Sequence, residues 1–148
     1  MDASAAARLI ATWFGAGRSP VAPGTVGTIA ALPVHWVLRS VAPVPYAAAV
    51  ILVTVAGTWA AEREALRLGE KDPSSVVVDE VAGVLLALFI ARSAGLKAEI
   101  VSVLLFRLFD IWKPGPIDRI QHLEPAGVGI MADDILAGAL AGVLARLL

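Results

Sequence analysis

Five carboxylates stand where a water-facing surface would not put them. Asp79 and Glu80 interrupt the apolar run VVVDEVAGVLLALFIA, Asp110 lies in FRLFDIWKPGPI, and Asp133 and Asp134 are adjacent in GVGIMADDILAGALAG. A carboxylate taken out of water is costly unless it is paired or bound to a cation, and inside a membrane such a residue is a functional candidate by default. Asp79 and Glu80 are about 100° apart on a helix, so they repel without being able to pair. A hard divalent cation (Mg²⁺, Ca²⁺ or Mn²⁺) relieves that repulsion. Asp133–Asp134 repeats the arrangement. The plainer alternatives are a solvated helix start near Ser75 for the first pair and helix capping for one residue of the second.

Two further groups could meet an anion. Arg107 and Asp110 are three residues apart and share a helix face, with Lys113 one turn beyond. On a surface this would be an ordinary ion pair worth tenths of a kcal/mol; in so apolar a segment, an anion-binding arginine beside a metal-binding aspartate is the more economical account. The segment GAGRSPVAPGTVGT offers Gly24 and Gly27 for close backbone approach, and Arg18, Thr25 and Thr28 as donors, ahead of a helix N-terminus. It lacks the Gly-Lys-Ser/Thr ending of a Walker A loop and taken alone reads as a connection. Together the three groups describe a negative substrate met by metal, Arg, Lys and backbone amides, which suits phosphoryl transfer.

The elements that must position these residues are helical. Ala and Leu dominate the apolar segments and none alternates with period two, so the fold class is all-α. The expected helices cover Ala3–Phe14, about Ile29–Val41, Tyr46–Ala61 with a polar continuation to Asp72, a segment from Ser74 or Ser75 through VVVDEVAGVLLALFIA, Ile100–Trp112, and a last helix starting near Asp133 or Asp134. Ser19–Thr28 is expected to be a loop, and GPIDRIQHLEPAGVG a loop with one helical turn. Pro43 and Pro45 are expected to break the uncharged stretch Ser40–Ala61, leaving a helix marginal for crossing the roughly 30 Å hydrocarbon core. Gly138 and Gly142, four apart, would let two helices approach closely.

Composition points to lipid. Apolar residues make up 58% of the 148 and charged residues 17%, with mean hydropathy +0.79, against about 45–50% and about 25% in ordinary globular chains. The length suits one domain, residues 1–148. The net charge of −1 and scattered Lys and Arg give no footprint for nucleic acid, and the N-terminus shows no removable signal peptide. Chemistry is bounded by exclusion. There is no cysteine, so no thiol nucleophile; no Asp-x-Asp, so no motif for an aspartyl-phosphate route; and His35 and His122 lack the surroundings of a histidine nucleophile. What remains is water activated by a metal with one carboxylate as general base; Thr25 as nucleophile has no evident base.

The strings GAGRSPVAPGTVGT, VVVDEVAG, FRLFDIWKPGPID and GVGIMADDILAGALAG, in this order, resemble the signature blocks of the phosphatidylglycerophosphatase A family, and cover most of the chain outside Arg39–Lys71. Thr28 stands where that family commonly has Ser, and Pro125–Ala126 replaces a more usual small, Gly-containing sequence. The resemblance implies a lipid phosphatase of the bacterial inner membrane that requires Mg²⁺ and converts phosphatidylglycerophosphate to phosphatidylglycerol. It also implies a compact bundle with one central helix surrounded by others. Carried over by position, the family's polar motif residues are Arg18, Thr25, Asp79, Glu80, Arg107, Asp110, Lys113, Asp133 and Asp134. Joined to the reading of the residues above, the expected metal set is Asp79, Glu80, Asp110, Asp133 and Asp134; the expected substrate set is Arg18, Gly24, Thr25, Gly27, Thr28, Arg107 and Lys113; and Lys113 joins Asp79, Glu80, Asp110 and Asp134 as catalytic. The alternatives are a non-enzymatic helical membrane protein that binds Mg²⁺ or anionic head groups, and a soluble degenerate homologue.

Overall fold

Proline and glycine set most of the boundaries. In the computed structural model, which describes residues 1–148, seven helices follow one another without a strand: α1 Ala3–Ala11, α2 Pro23–Leu38, α3 Pro43–Leu68, α4 Val78–Ala91, α5 Leu96–Trp112, α6 Pro116–Ile120 and α7 Ala126–Leu147. Asp2 caps α1 by accepting from the Ala5 N–H at 2.7 Å. Helices α2, α3 and α6 each begin on a proline, whose missing N–H is no loss in a first turn and whose φ is already helical.

Three boundaries differ from the sequence reading, the first two for that reason. Pro43 and Pro45 start α3 rather than break it, so the uncharged stretch and its polar continuation form one 26-residue helix, ended by Gly69 in the left-handed region. Pro23 starts α2 early, so Gly24, Thr25, Gly27 and Thr28 lie in its first turns and not in a loop. The last helix begins at Ala126, so Asp133 and Asp134 sit in its interior and the capping alternative is excluded. Helix α4 begins at Val78, after a non-helical Ser75–Val77.

The expected central helix is α4. Ten of its 14 residues are buried, and α2, α3, α5 and α7 pack around it. Helix α7 runs parallel to α4 at very short range, with Gly138 against the Gly83 backbone and Gly142 against Ala87 and Ile90. Helix α3 runs antiparallel to both, bringing Gly57 to Met131 and Val78 and Tyr46 to Leu85. The small residues Ala7 and Ala11 of α1 pack with Ala60, Ala61 and Ala65 of α3. One end of the bundle therefore collects the starts of α2, α4 and α7 and the ends of α3 and α5; the other end collects the opposite termini.

Helices α3 and α7 are long and apolar enough to cross a membrane. The outer face of α3 carries Ile51, Leu52 and Val55, each more than 60% exposed. Leaving such a stripe in water forfeits the burial that stabilises a fold, whereas lipid accepts it.

Candidate active site

Four helices deliver the polar residues to one end of the bundle. The first turn of α4 supplies Asp79 and Glu80, the middle of α7 supplies Asp134, and ligand-capable oxygens of these three lie within 4.8 Å of one another. Their closeness follows from packing: the Gly83–Gly138 contact lets α4 and α7 approach backbone to backbone, and Asp134 is one turn before that contact. Asp79 Oδ1, Glu80 Oε2 and Asp134 Oδ2 are buried without a hydrogen-bond partner. Three orphaned carboxylate oxygens together would be strongly unfavourable as an apolar core, and hard oxygens in this arrangement fit a divalent cation such as Mg²⁺.

The other two predicted acids border the cluster and are already paired. Asp110, near the end of α5, accepts from Arg107, whose second guanidinium nitrogen donates to Thr25 Oγ1 at 3.2 Å. Asp133 accepts from Lys113. Asp134 lies within the electrostatic reach of Asp110, Glu80 and Asp133. Burial disfavours the Lys113 ammonium, but the bond to Asp133 and the charges of Asp134 and Asp110 outweigh it and hold its pKa above the ordinary lysine value. The Lys113 ammonium is therefore held in its charged form beside Asp133. Its φ of 51°, where the chain leaves α5, turns it back toward α7.

The start of α2 closes the site. A Cβ on Gly24 would meet Glu80 Oε1 at 2.5 Å and Arg107 Nη1 at 3.5 Å, so glycine here lets the positive end of α2 approach both groups. Thr25 reaches Arg107, as described. Gly27 and Thr28 serve packing instead: Gly27 lies against Val77, and the buried Thr28 hydroxyl donates to the Gly24 carbonyl at 3.0 Å. Arg18 lines a cleft of about 370 Å³ with Arg8, Thr12, Glu64 and Arg67, and none of the five carboxylates lines that cleft.

Two features escaped the sequence reading. Asp72, just before Pro73, stands at the rim, where its charge acts on Asp133. At the opposite end, His35 is buried between Tyr46 Oη at 2.7 Å and Glu99 Oε2 at 3.0 Å, and Arg39 donates to Glu99 at 3.0 Å. Glu99 is an acid in an apolar helix, and the cost argument applied to the other five would have singled it out.

Known proteins resemble this chain over most of its length. A family model described as Phosphatidylglycerophosphatase A matches residues 9–148. The chain is 36% identical over 138 residues to phosphatidylglycerophosphatase A of Escherichia coli (strain K12), covering 92% of this chain and 80% of that protein. It is 33% identical over 137 residues to the protein of that name in Haemophilus influenzae, covering 92% and 84%. It is also 41% identical over 143 residues to a Bacteroides thetaiotaomicron protein named "Putative phosphatidylinositol-3-phosphatase", covering 92% and 89%. No solved structure matches the chain.

Proposed function

The chain belongs to the phosphatidylglycerophosphatase A family, and we propose that it removes the terminal phosphate of phosphatidylglycerophosphate with Mg²⁺ held by Asp79, Glu80 and Asp134. The observation that carries this reading is the set of three buried, unpartnered carboxylate oxygens beside two cations, Arg107 and Lys113. When bound, Mg²⁺ supplies charge neutralisation at the phosphate and a more acidic water.

The residues divide the remaining work. Arg107, the first turn of α2 and Lys113 receive the phosphate oxygens and hold the phosphorus in line for attack. Water adds to phosphorus while the bond from phosphorus to the glycerol oxygen breaks; one carboxylate of the cluster takes the water's proton and later returns it to solvent, and the leaving oxygen takes a proton from solvent to become the free hydroxyl. Inorganic phosphate and phosphatidylglycerol result. Residues 1–148 act as one unit in this scheme. The lipid substrate and the outward apolar face of α3 support a membrane setting, which we assign to the bacterial inner membrane. The loops bearing Arg18 and Lys113 then lie on the side of the substrate head group, which we assign to the cytoplasmic face.

The test is phosphate release by membrane and soluble fractions, with and without Mg²⁺, from phosphatidylglycerophosphate and from phosphatidylinositol 3-phosphate. Release in the membrane fraction, dependent on Mg²⁺ and faster with the first lipid, is the expected result. No release from either lipid would leave a non-enzymatic binder, and preference for the second would move the substrate toward that named for the Bacteroides relative.

Arg107→Lys checks the phosphate contact separately. Lysine keeps the charge but loses the planar fork that reaches Asp110 and Thr25 together. A fall in kcat/KM of about tenfold or more is expected; full activity would remove Arg107 from the site.

A further inference from the structure

The end of the bundle away from the carboxylates carries a second polar cavity. It is a cleft of about 570 Å³ lined by Trp36, Arg39, Ser40, Val41, Arg92 and Ser93. Arg92 has no carboxylate partner. One of its nitrogens donates to the Val41 carbonyl at 3.1 Å, and its guanidinium lies over the rings of Tyr46 at 5.0 Å and Phe89 at 5.1 Å. Arg39 uses its Nε on Glu99 and lies 5.5 Å from the centre of the Trp36 ring. Both guanidiniums are thus oriented by groups behind them, and their remaining N–H donors are left for an anion in the cleft. Glu99, the one acid nearby, is buried and occupied by His35 and Arg39, so the cleft keeps a positive balance.

An apolar groove of about 260 Å³ adjoins the cleft through Trp36. Leu32 of α2 and Leu96, Ile100, Val103 and Leu104 of α5 form its walls, with Leu88 of α4 behind them. It runs from the cleft toward the middle of the bundle, because residue numbers along α5 increase in that direction. Trp36, Ile100 and Leu104 are all more than half exposed. A cationic cleft continuous with an apolar groove matches one kind of molecule, with an anionic head and a hydrocarbon chain. The exposed Trp36 at the junction is the residue expected where hydrocarbon meets head groups.

We propose that the Arg39–Arg92 cleft and the α2–α5 groove together form a binding site for an anionic phospholipid. Its phosphate lies between the two guanidiniums and one acyl chain lies along the groove. The site is at the bundle end opposite the carboxylates, so its occupant belongs to the other leaflet and is not the molecule being hydrolysed. A zwitterionic lipid fits less well, because its ammonium meets two cations and no free carboxylate.

The full chain in detergent micelles, examined by native mass spectrometry with phosphatidylglycerol, phosphatidylcholine or inorganic phosphate, tests this. One phosphatidylglycerol should be retained about tenfold more tightly than phosphatidylcholine, and inorganic phosphate should not be retained. Asp79→Asn should retain it equally, since that change lies at the catalytic end. Arg92→Gln should lose about tenfold in retention, and so should Ser93→Asp, which places an anion in the cleft at an exposed position without touching the Tyr46–His35–Glu99 contacts. A Ser93→Asp protein that melts like wild type and holds phosphatidylglycerol as well as wild type would overturn the proposal. So would equal retention of phosphatidylcholine, retention of phosphate alone, or loss of the lipid in Asp79→Asn.

Discussion

Asp79→Asn and Asp134→Asn are expected to reduce turnover about 100-fold or more, while the variants melt no lower than wild type in the absence of Mg²⁺. Asparagine has nearly the shape of aspartate, so the packing of α4 on α7 survives. It lacks the charge that attracts a cation and supports activation of its water. In the cation-free protein the three carboxylates of the cluster repel one another, and each has a buried oxygen with no hydrogen-bond partner. Removing one charge then relieves strain rather than breaking a contact. Wild type should gain more stability from saturating Mg²⁺ than either variant does. A thermal melt and an activity assay on the same preparations, with and without Mg²⁺, decide the matter. Lower melting with turnover in proportion to the folded fraction would make these acids structural and remove them from a metal site.

Gly138→Ala is expected to be strongly damaging, because it acts at the α4–α7 contact that holds the site together. The new methyl would be driven into the Gly83 carbonyl oxygen, with the Gly83 carbonyl carbon at 2.9 Å and its Cα at 3.1 Å. A flexible side chain could move aside, but a helix backbone cannot without separating α4 from α7. The loss should reach the upper part of the overpacking range, about 3 kcal/mol. It should also carry activity with it, because Asp134 is one turn away on α7 and Asp79 one turn from Gly83 on α4. Gly69→Ala makes a useful contrast: its φ of 67° is strained for alanine but its surroundings are open, so the expected loss is about 1 kcal/mol with the site intact. Chemical denaturation of the two variants beside wild type measures the difference. Gly138→Ala within error of Gly69→Ala would show that the α4–α7 contact is looser than described.

The all-α class and the existence of most helices were legible because helix-forming residues run unbroken between prolines and glycines. The acids were legible because charge in an apolar run is conspicuous on cost alone. Helix boundaries were not, for a specific reason: a proline reads as a breaker unless the chain before it is known to be non-helical. Pro23 and Pro43 each occupy the first helical position, where a proline is compatible with helix. The same ambiguity made Asp133 and Asp134 look like caps, since nothing local says that Ala126–Ala132 is helical. Convergence was legible only as an argument about cost. Which acid pairs with which cation depends on how α5 and α7 face each other, and that is set by packing across the bundle. Local pattern says nothing of it. The His35–Tyr46–Glu99–Arg39 contacts join three helices and leave no signature at any one of them beyond Glu99, an acid in the apolar first half of α5.

Both cations of the site are already engaged, Arg107 by Asp110 and Lys113 by Asp133. If these two cations hold the phosphate as proposed, an arriving phosphate meets an exchange, not a vacancy. It must take donors that a carboxylate already holds, and the displaced carboxylate regains what it lost when the phosphate departs. Such a swap keeps the net affinity for the ground-state phosphate modest, whichever side of the reaction it comes from. The released inorganic ion then leaves behind a pair that re-forms within the protein rather than a bare charge that holds it back. Turnover is favoured over product retention by the same two bonds that keep the empty pocket neutral at its edges.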